Sequence, residues 1–441
     1  MRDIFITLTI LGTIPIILIR PHIGMLVWCW IAYMNPHRLT WGFAYDFQFA
    51  LFIGIVTMLA WFLSREPKGL PLNGVTILLI ILSFWVSLTT LFAVVPDAAH
   101  QKWDTSIKIL LMTFFTIILM RSRERLHALI WVIVLSVGFY GAKGGLFTLL
   151  GVGQGEGEAR VYGPMGTFLA DNNALALTLI MILPLMRYLQ MQSEIWWMRW
   201  GLAATMLVTV VAIIGTYSRG AVVAGVAMLF MLFWKSRKKF LIAVAAVVAL
   251  GFSFAMAPEE WIERMETIQN YEQDESAQGR IEAWTFAYRL ALDRPVLGGG
   301  FLVNEDRELF FQYVPDAAKE RAFHSVYFEV LGEHGFVALG LFLVLLGVSY
   351  RIGGWLKRHT RGRPELNWAR DLGAMGQVSL VGYAAGGLFQ SLAFFDLFYH
   401  VVAIMLLAKL IVQREIQTKP VIAAQRLDHT GMPAPSPSIN R

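Results

Sequence analysis

FHSVYFEVLGEHGFVALGLFLVLLGVSYR, Phe323 to Arg351, is a polar head that runs into an apolar stem. The head carries His324, Glu329, Glu333 and His334, and the stem is free of charge until Arg351. A helix rises about 1.5 Å per residue and a bilayer's hydrocarbon core is about 30 Å thick, so this run can span a membrane. The head then lies at the membrane surface, fed by a long polar segment at 258–321. A titratable imidazole at the mouth of a membrane helix, beside a large extramembrane loop, marks the place to look for chemistry.

The rest of the chain agrees with a membrane setting. Its 441 residues are 56% hydrophobic and 15% charged, with a mean hydropathy of +0.57, whereas a soluble domain carries roughly 25% charge. Apolar runs recur at 4–19, 22–34, 47–63, 74–94, 105–120, 127–150, 170–190, 199–216, 220–234, 239–257, 326–350, 373–392 and 396–412. That recurrence excludes a secreted protein with one cleaved leader. It predicts an all-α polytopic membrane protein of about twelve or thirteen transmembrane helices with one large, partly helical loop. The divisions are an N-terminal bundle at 1–257, the loop at 258–325, C-terminal helices at 326–413 and a disordered, proline-containing cytoplasmic tail at 414–441. The single cysteine, Cys29, lies in an apolar run and excludes an internal disulfide.

Charge is segregated. Positions 258–325 hold 14 Asp/Glu and 7 Lys/Arg, so the net +6 of the chain leaves +13 for the remainder. Basic clusters at 121–125, 235–239 and 351–370 belong in the cytoplasm, and alternation from them puts the acidic loop outside. Such segregation reflects membrane sidedness; no basic groove with interleaved aromatics suggests nucleic acid. Within the loop, Pro258-Glu-Glu260 opens one helical pattern and Gln278 to Asp293 a second, stopped before Pro295. Gly298-Gly-Gly300 then reads as a flexible turn.

Four groups of residues could carry chemistry. A helix that includes His324 puts it on one face with Tyr327, Phe328 and Leu331, where the imidazole could take a proton from a hydroxyl or simply bond a backbone carbonyl. Arg219, in Thr216-Tyr-Ser-Arg-Gly220, has almost no loop around it; it could hold a phosphate through two parallel hydrogen bonds or snorkel to headgroups. Arg280, with Trp284 and Tyr288 at i+4 and i+8, is expected on one face of a helix, and could reach a phosphate or pair with Glu275 or Glu282. Arg160 and the Asp171-Asn172-Asn173 trio could bind a polar ligand, the trio also suiting a helix cap. No cysteine pair, phosphate-cradling loop or His-Glu-x-x-His motif occurs, so no metal or cofactor is required by the sequence. His334, ten residues past His324, would sit about 80° off its face and about 15 Å further along.

At these residues the chain resembles the O-antigen ligase and polymerase superfamily of bacterial membrane glycosyltransferases. The matching features are Ser218-Arg-Gly220; Gly279-Arg280 with Trp284 and Pro295-Val-Leu-Gly-Gly-Gly300; and His324-Ser-Val-Tyr327 with Leu331-Gly-Glu333 and Gly335. Met34-Asn-Pro-His-Arg-Leu-Thr-Trp-Gly-Phe43 is further similar to the exosortase-associated O-glycosylation ligase branch. The resemblance implies an inner-membrane enzyme that moves a glycan from undecaprenyl diphosphate to a hydroxyl acceptor on the periplasmic side. It implies His324 as general base or acceptor-orienting group, with Arg219 and Arg280 on the diphosphate and Tyr327, Arg160 and Asn172 as substrate contacts. The acceptor (lipid, glycan or protein) stays open, so a polymerase and a protein O-oligosaccharyltransferase are alternatives within the same chemistry. A lipid-linked glycan transporter is the alternative from another class.

Overall fold

The computed structural model describes residues 1–151, 160–235, 239–240, 243–244, 247, 251 and 275–429. Among them the chain is helical, with no strand. The helices are α1 (Arg2–Gly12), α2 (Ile14–Ile19), α3 (Pro21–Met34), α4 (Phe49–Leu63), α5 (Gly74–Leu91), α6 (Pro96–Leu119), α7 (Arg123–Leu150), α8 (Asn172–Gln192), α9 (Trp196–Gly215) and α10 (Arg219–Lys235). After the polar loop begin α11 (Glu275–Asp293), α12 (Arg307–Tyr313), α13 (Val326–His359), α14 (Asn367–Gly386) and α15 (Asp396–His429).

Local chemistry sets several of these ends. Asn73 caps α5 through Val75 N and Thr76 N, and Ser122 caps α7 through Arg125 N. Pro21 and Pro96 open α3 and α6, where a missing N–H costs nothing. Eight helical stretches among the described residues are long and apolar enough to cross a membrane. Of the other expected spans, α3, α4 and α10 have 14, 15 and 17 residues, and α6 is charged over its first turns. Most of the expected span at 239–257 lies outside the described residues, as do Pro258-Glu-Glu260 and positions 430–441. α15 continues to His429, into the stretch expected to be a disordered tail; Pro433, Pro435 and Pro437, which suggested the tail, all come later.

The best-covered helices form the centre. Of the apolar windows in α8 and α15, 83% is buried, against 28% in α9, so α8 and α15 are ringed by protein and α9 faces lipid. Part of the polar loop has a small core of its own, in which Phe286, Leu290, Phe310 and Phe323 pack together. α11 docks this unit against the first turns of α13.

One element departs from expectation. α13 is not one straight span: Gly335 has φ 75 and ψ −176, which breaks it. The break is filled by 295–300, whose amides bond the helix carbonyls (Gly299 N to Gly332 O at 2.9 Å, Gly300 N to Glu333 O at 2.7 Å), while Phe336 N donates to Pro295 O at 2.9 Å. A Cβ on Gly335 would lie 2.6 Å from Pro295 O, and one on Gly300, at φ 86, 2.3 Å from Ala93 Cβ. The triple glycine is therefore a docked clasp and not a flexible turn, because only bare backbone approaches this closely.

Candidate active site

His324 is held from both sides. Phe323 lies in the small core of the loop, and its carbonyl accepts a hydrogen bond from Trp284 Nε1 at 2.8 Å. Trp284 also stacks on Phe328, with centroids 5.0 Å apart and planes 8° from parallel. On the other side, Ser325 O accepts from Glu329 N at 2.8 Å and opens α13. Between these anchors His324 adopts a left-handed φ of 45. Such a conformation costs a non-glycine residue about 1–3 kcal/mol and persists where neighbours over-determine it. Helical geometry begins only at Val326, so His324 does not share a helical face with Tyr327, Phe328 and Leu331 as the spacing suggested.

The imidazole stays accessible. Protein packed around it, and then the Arg280 guanidinium, hold its pKa below the usual histidine range, while Asp171 and Glu329 pull the other way. His324 and Arg280, which lie in separate elements, are thus electrostatic neighbours. Arg280 stands one turn before Trp284 on α11, as predicted, but eight residues advance 80° past whole turns and Tyr288 is 50% exposed. Glu282, a candidate partner for Arg280 in the sequence, pairs with Arg321 at 3.5 Å.

Arg219 opens α10 after a strained turn in which Tyr217 has φ 50. Asn172 ties that turn down, its Nδ2 donating to Thr216 O at 2.8 Å, and Ser218 Oγ accepts from Ala221 N at 3.1 Å. The turn at Gly387–Phe389 joins the two halves of the site. A Cβ on Gly220 would lie 3.0 Å from Phe389 Cβ, and one on Gly387 would lie 2.8 Å from Val326 Cγ2. Hence Arg219 and His324 flank one turn at one end of the bundle. Asp171 caps α8 there, through Asn173 N and Ala174 N, and accepts from Gln390 Nε2 at 3.0 Å. Arg160 is at the same end, since Val161 N donates to Gly215 O at 3.0 Å. The Tyr327 hydroxyl donates to Ala384 O at 2.7 Å and Asn172 to Thr216, so these two contact protein in the structure.

Beneath His324 lies a buried polar cluster that the sequence did not announce. Glu329 and Glu333, expected at the membrane surface, are 3% and 0% exposed. Lys102 of α6 bridges them, 2.7 Å from Glu329 Oε1 and 2.8 Å from Glu333 Oε1. The carboxylates also accept from Ala393 N and Leu302 N, both at 3.0 Å. His334 ends the first half of α13, with Nδ1 2.7 Å from Thr89 Oγ1 and its carbonyl taking Trp85 Nε1 at 3.2 Å. One lysine thereby fixes the short segment whose N-terminus presents His324. Among the described residues no group of three or more His, Cys, Asp or Glu is placed to hold a metal.

Residues 204–343, which include Arg219, Arg280 and His324, match the family model described as O-Antigen ligase. The chain carries an O-antigen ligase domain. Residues 1–194 match a second model, described as a family of unknown function. No curated protein matches the chain in a sequence search. Residues 204–343 therefore contain the break in α13, its clasp, and Arg219, Arg280 and His324, and their match supports a glycosyltransferase-like membrane enzyme; Arg160 and Asn172 lie in the segment matched by the second model.

Proposed function

We propose that the protein is an inner-membrane glycosyltransferase that moves a glycan from undecaprenyl diphosphate to a hydroxyl acceptor on the periplasmic face. The observation that carries this reading is the placement of an accessible imidazole beside Arg280, with Arg219 across the Gly387–Phe389 turn. The neutral His324 takes the proton of the acceptor hydroxyl. The oxygen attacks the anomeric carbon, the bond to diphosphate breaks, and the diphosphate leaves with the electron pair. A single displacement inverts the anomeric centre. Arg219 and Arg280 stabilise the charge that grows on the diphosphate; Arg160, Asn172 and Tyr327 shape the surrounding wall. Sidedness has separate support. The basic connections gather at the end opposite the site, where Arg123 lies over the Trp368 ring and Arg125 pairs with Glu66, and such clusters face the cytoplasm.

Reconstitution with an undecaprenyl-diphosphate oligosaccharide and lipid, glycan or protein acceptors tests the proposal. His324→Ala should insert normally and lose transfer by about 10²–10⁴-fold; retained transfer would remove His324 from the chemistry. Transfer that stops on adding a chelator would show that the guanidiniums do not suffice. The acceptor that supports turnover separates ligase, polymerase and protein-modifying activities. One observation favours a second reading: a broken helix with a buried ion pair is also how transporters build midplane sites. Movement of an intact lipid-linked glycan across a vesicle, without transfer, would favour it.

A further inference from the structure

A recess of about 580 Å³ lies between α3, α4 and α6, apart from His324 and the two arginines. Its walls have a consistent depth order. Thr116 Oγ1 and Cys29 Sγ both approach His400 Nε2 (3.3 and 3.5 Å), and the Trp61 and Phe115 rings meet at 5.2 Å, so these residues share the deep level. At about 1.5 Å per residue, Asn35, Ala50 and Lys108 stand roughly 9–16 Å above it, level with the active-site end. Asp396, at the start of α15 and four residues before His400, stands about 6 Å above the same deep level. The upper lining is polar (Asn35, Thr105, Lys108, Asp396) and the lower lining is apolar (Trp28, Gly54, Met58, Met112). Residues 166–169 close one side and lead directly to Asp171.

We propose that this recess seats one membrane phospholipid, with a hydrocarbon chain between Trp28 and Met112 and an ammonium-bearing headgroup against Asp396. The lower part offers a chain only apolar contacts, and a cavity of this size suits a ligand segment with a few fixed polar contacts. The upper part selects the head. Asp396 is 6% exposed, and its Oδ1 has no hydrogen-bond partner among the described residues. A buried carboxylate oxygen in that state is costly unless a donor arrives. Lys108, held 2.5 Å from Asp104, supplies the mouth's cation for the phosphate. Asp396 is the carboxylate in the lining and Lys108 its cation, and Lys108 is already paired with Asp104 outside the recess, so a headgroup that carries its own positive charge is favoured over a purely anionic one.

The test uses the full-length protein in lipid nanodiscs, with phosphatidylethanolamine or phosphatidylglycerol bearing a photoreactive group in one acyl chain. The expected result is labelling of the peptides around Trp28 and Met112, stronger for phosphatidylethanolamine. Gly54 has room for a methyl group, since its Cβ would meet Trp28 Cδ1 at 3.6 Å and Met112 Sδ at 3.7 Å. Gly54→Ala should therefore preserve labelling, while Gly54→Trp should reduce it at least five-fold. Ala50→Phe repeats the block should Gly54→Trp fail to fold. Asp396→Asn should leave total labelling intact and erase the preference between the two lipids. His324→Ala should label as wild type, which separates this seat from the transfer reaction. Equal labelling by both lipids in the wild type, or labelling at these peptides that survives both blocking substitutions, would overturn the seat.

Discussion

His324 can act as a base only while its imidazole is neutral. Burial and the Arg280 charge lower its pKa from the ordinary value of 6.5, so protonation, and with it loss of the base, comes only at more acid pH. Transfer rates should therefore stay level from pH 8 down through 7 and fall only below the usual histidine range. Arg280→Ala should cost about 10²–10³ in turnover and move the acid limb upward, since one of the two effects that disfavour the imidazolium is gone. An acid limb that stays put in Arg280→Ala would break the coupling between these residues. Both were legible in the sequence, because Gly279-Arg280 with Trp284, and His324-Ser-Val-Tyr327, are local patterns. Lys102 was not legible. It is one of several charges over the first turns of α6, 227 positions from one partner and 231 from the other, and nothing in the one-dimensional chain connects them.

At the scale of the element, the informative object is the first half of α13. Its composition reads as the surface-exposed start of a membrane span, whereas its acids are interior and its last residue, His334, is fully buried. The reason is the clasp at 295–300, which takes over carbonyls that an unbroken helix would have used itself. A single glycine in an apolar helix carries no such message; the break exists only once the distant segment docks. Helix ends were more readable, as with Asp171, whose side-chain cap begins α8 where the polar trio suggested. Lys102→Met should leave Glu329 and Glu333 buried without their shared cation. Removal of one partner from a buried ion pair costs about 3–5 kcal/mol, so thermal unfolding of the purified protein should occur at a clearly lower temperature. Adding Glu333→Gln should restore part of that loss, and a wild-type melting curve for Lys102→Met alone would refute the arrangement.

On the scale of the molecule, the all-α membrane architecture was plain from hydropathy, because twenty-residue apolar runs have few other uses. That Arg219 and His324 flank one turn does not follow from hydropathy, which orders the helices along the chain and says nothing about which ends meet; only the resemblance implied a shared site. Asp97, exposed at the start of α6, and Glu194, exposed between α8 and α9, lie at opposite ends of the bundle. Asp97→Cys and Glu194→Cys, in a chain whose native Cys29 is buried, should react with a membrane-impermeant thiol reagent from opposite faces, Asp97→Cys from the periplasm. Reaction of both from one face would invalidate the proposed orientation.

The brevity of α3 and α4 reaches beyond the protein itself. At 14 and 15 residues they measure about 21–23 Å, well short of a hydrocarbon layer of about 30 Å. α3 has no exposed residue and is walled by protein, but α4 turns Leu51, Ile55, Leu59 and Phe62 outward, so lipid that thins to meet α4 makes the membrane shallower beside the recess. A substrate anchored in that dimple would ride lower, with its reactive end nearer to Asp171 and His324. Turnover should accordingly be faster in bilayers of short-chain lipids than in thick ones, and a rate indifferent to acyl length across a graded series would show that the dimple plays no part in delivery.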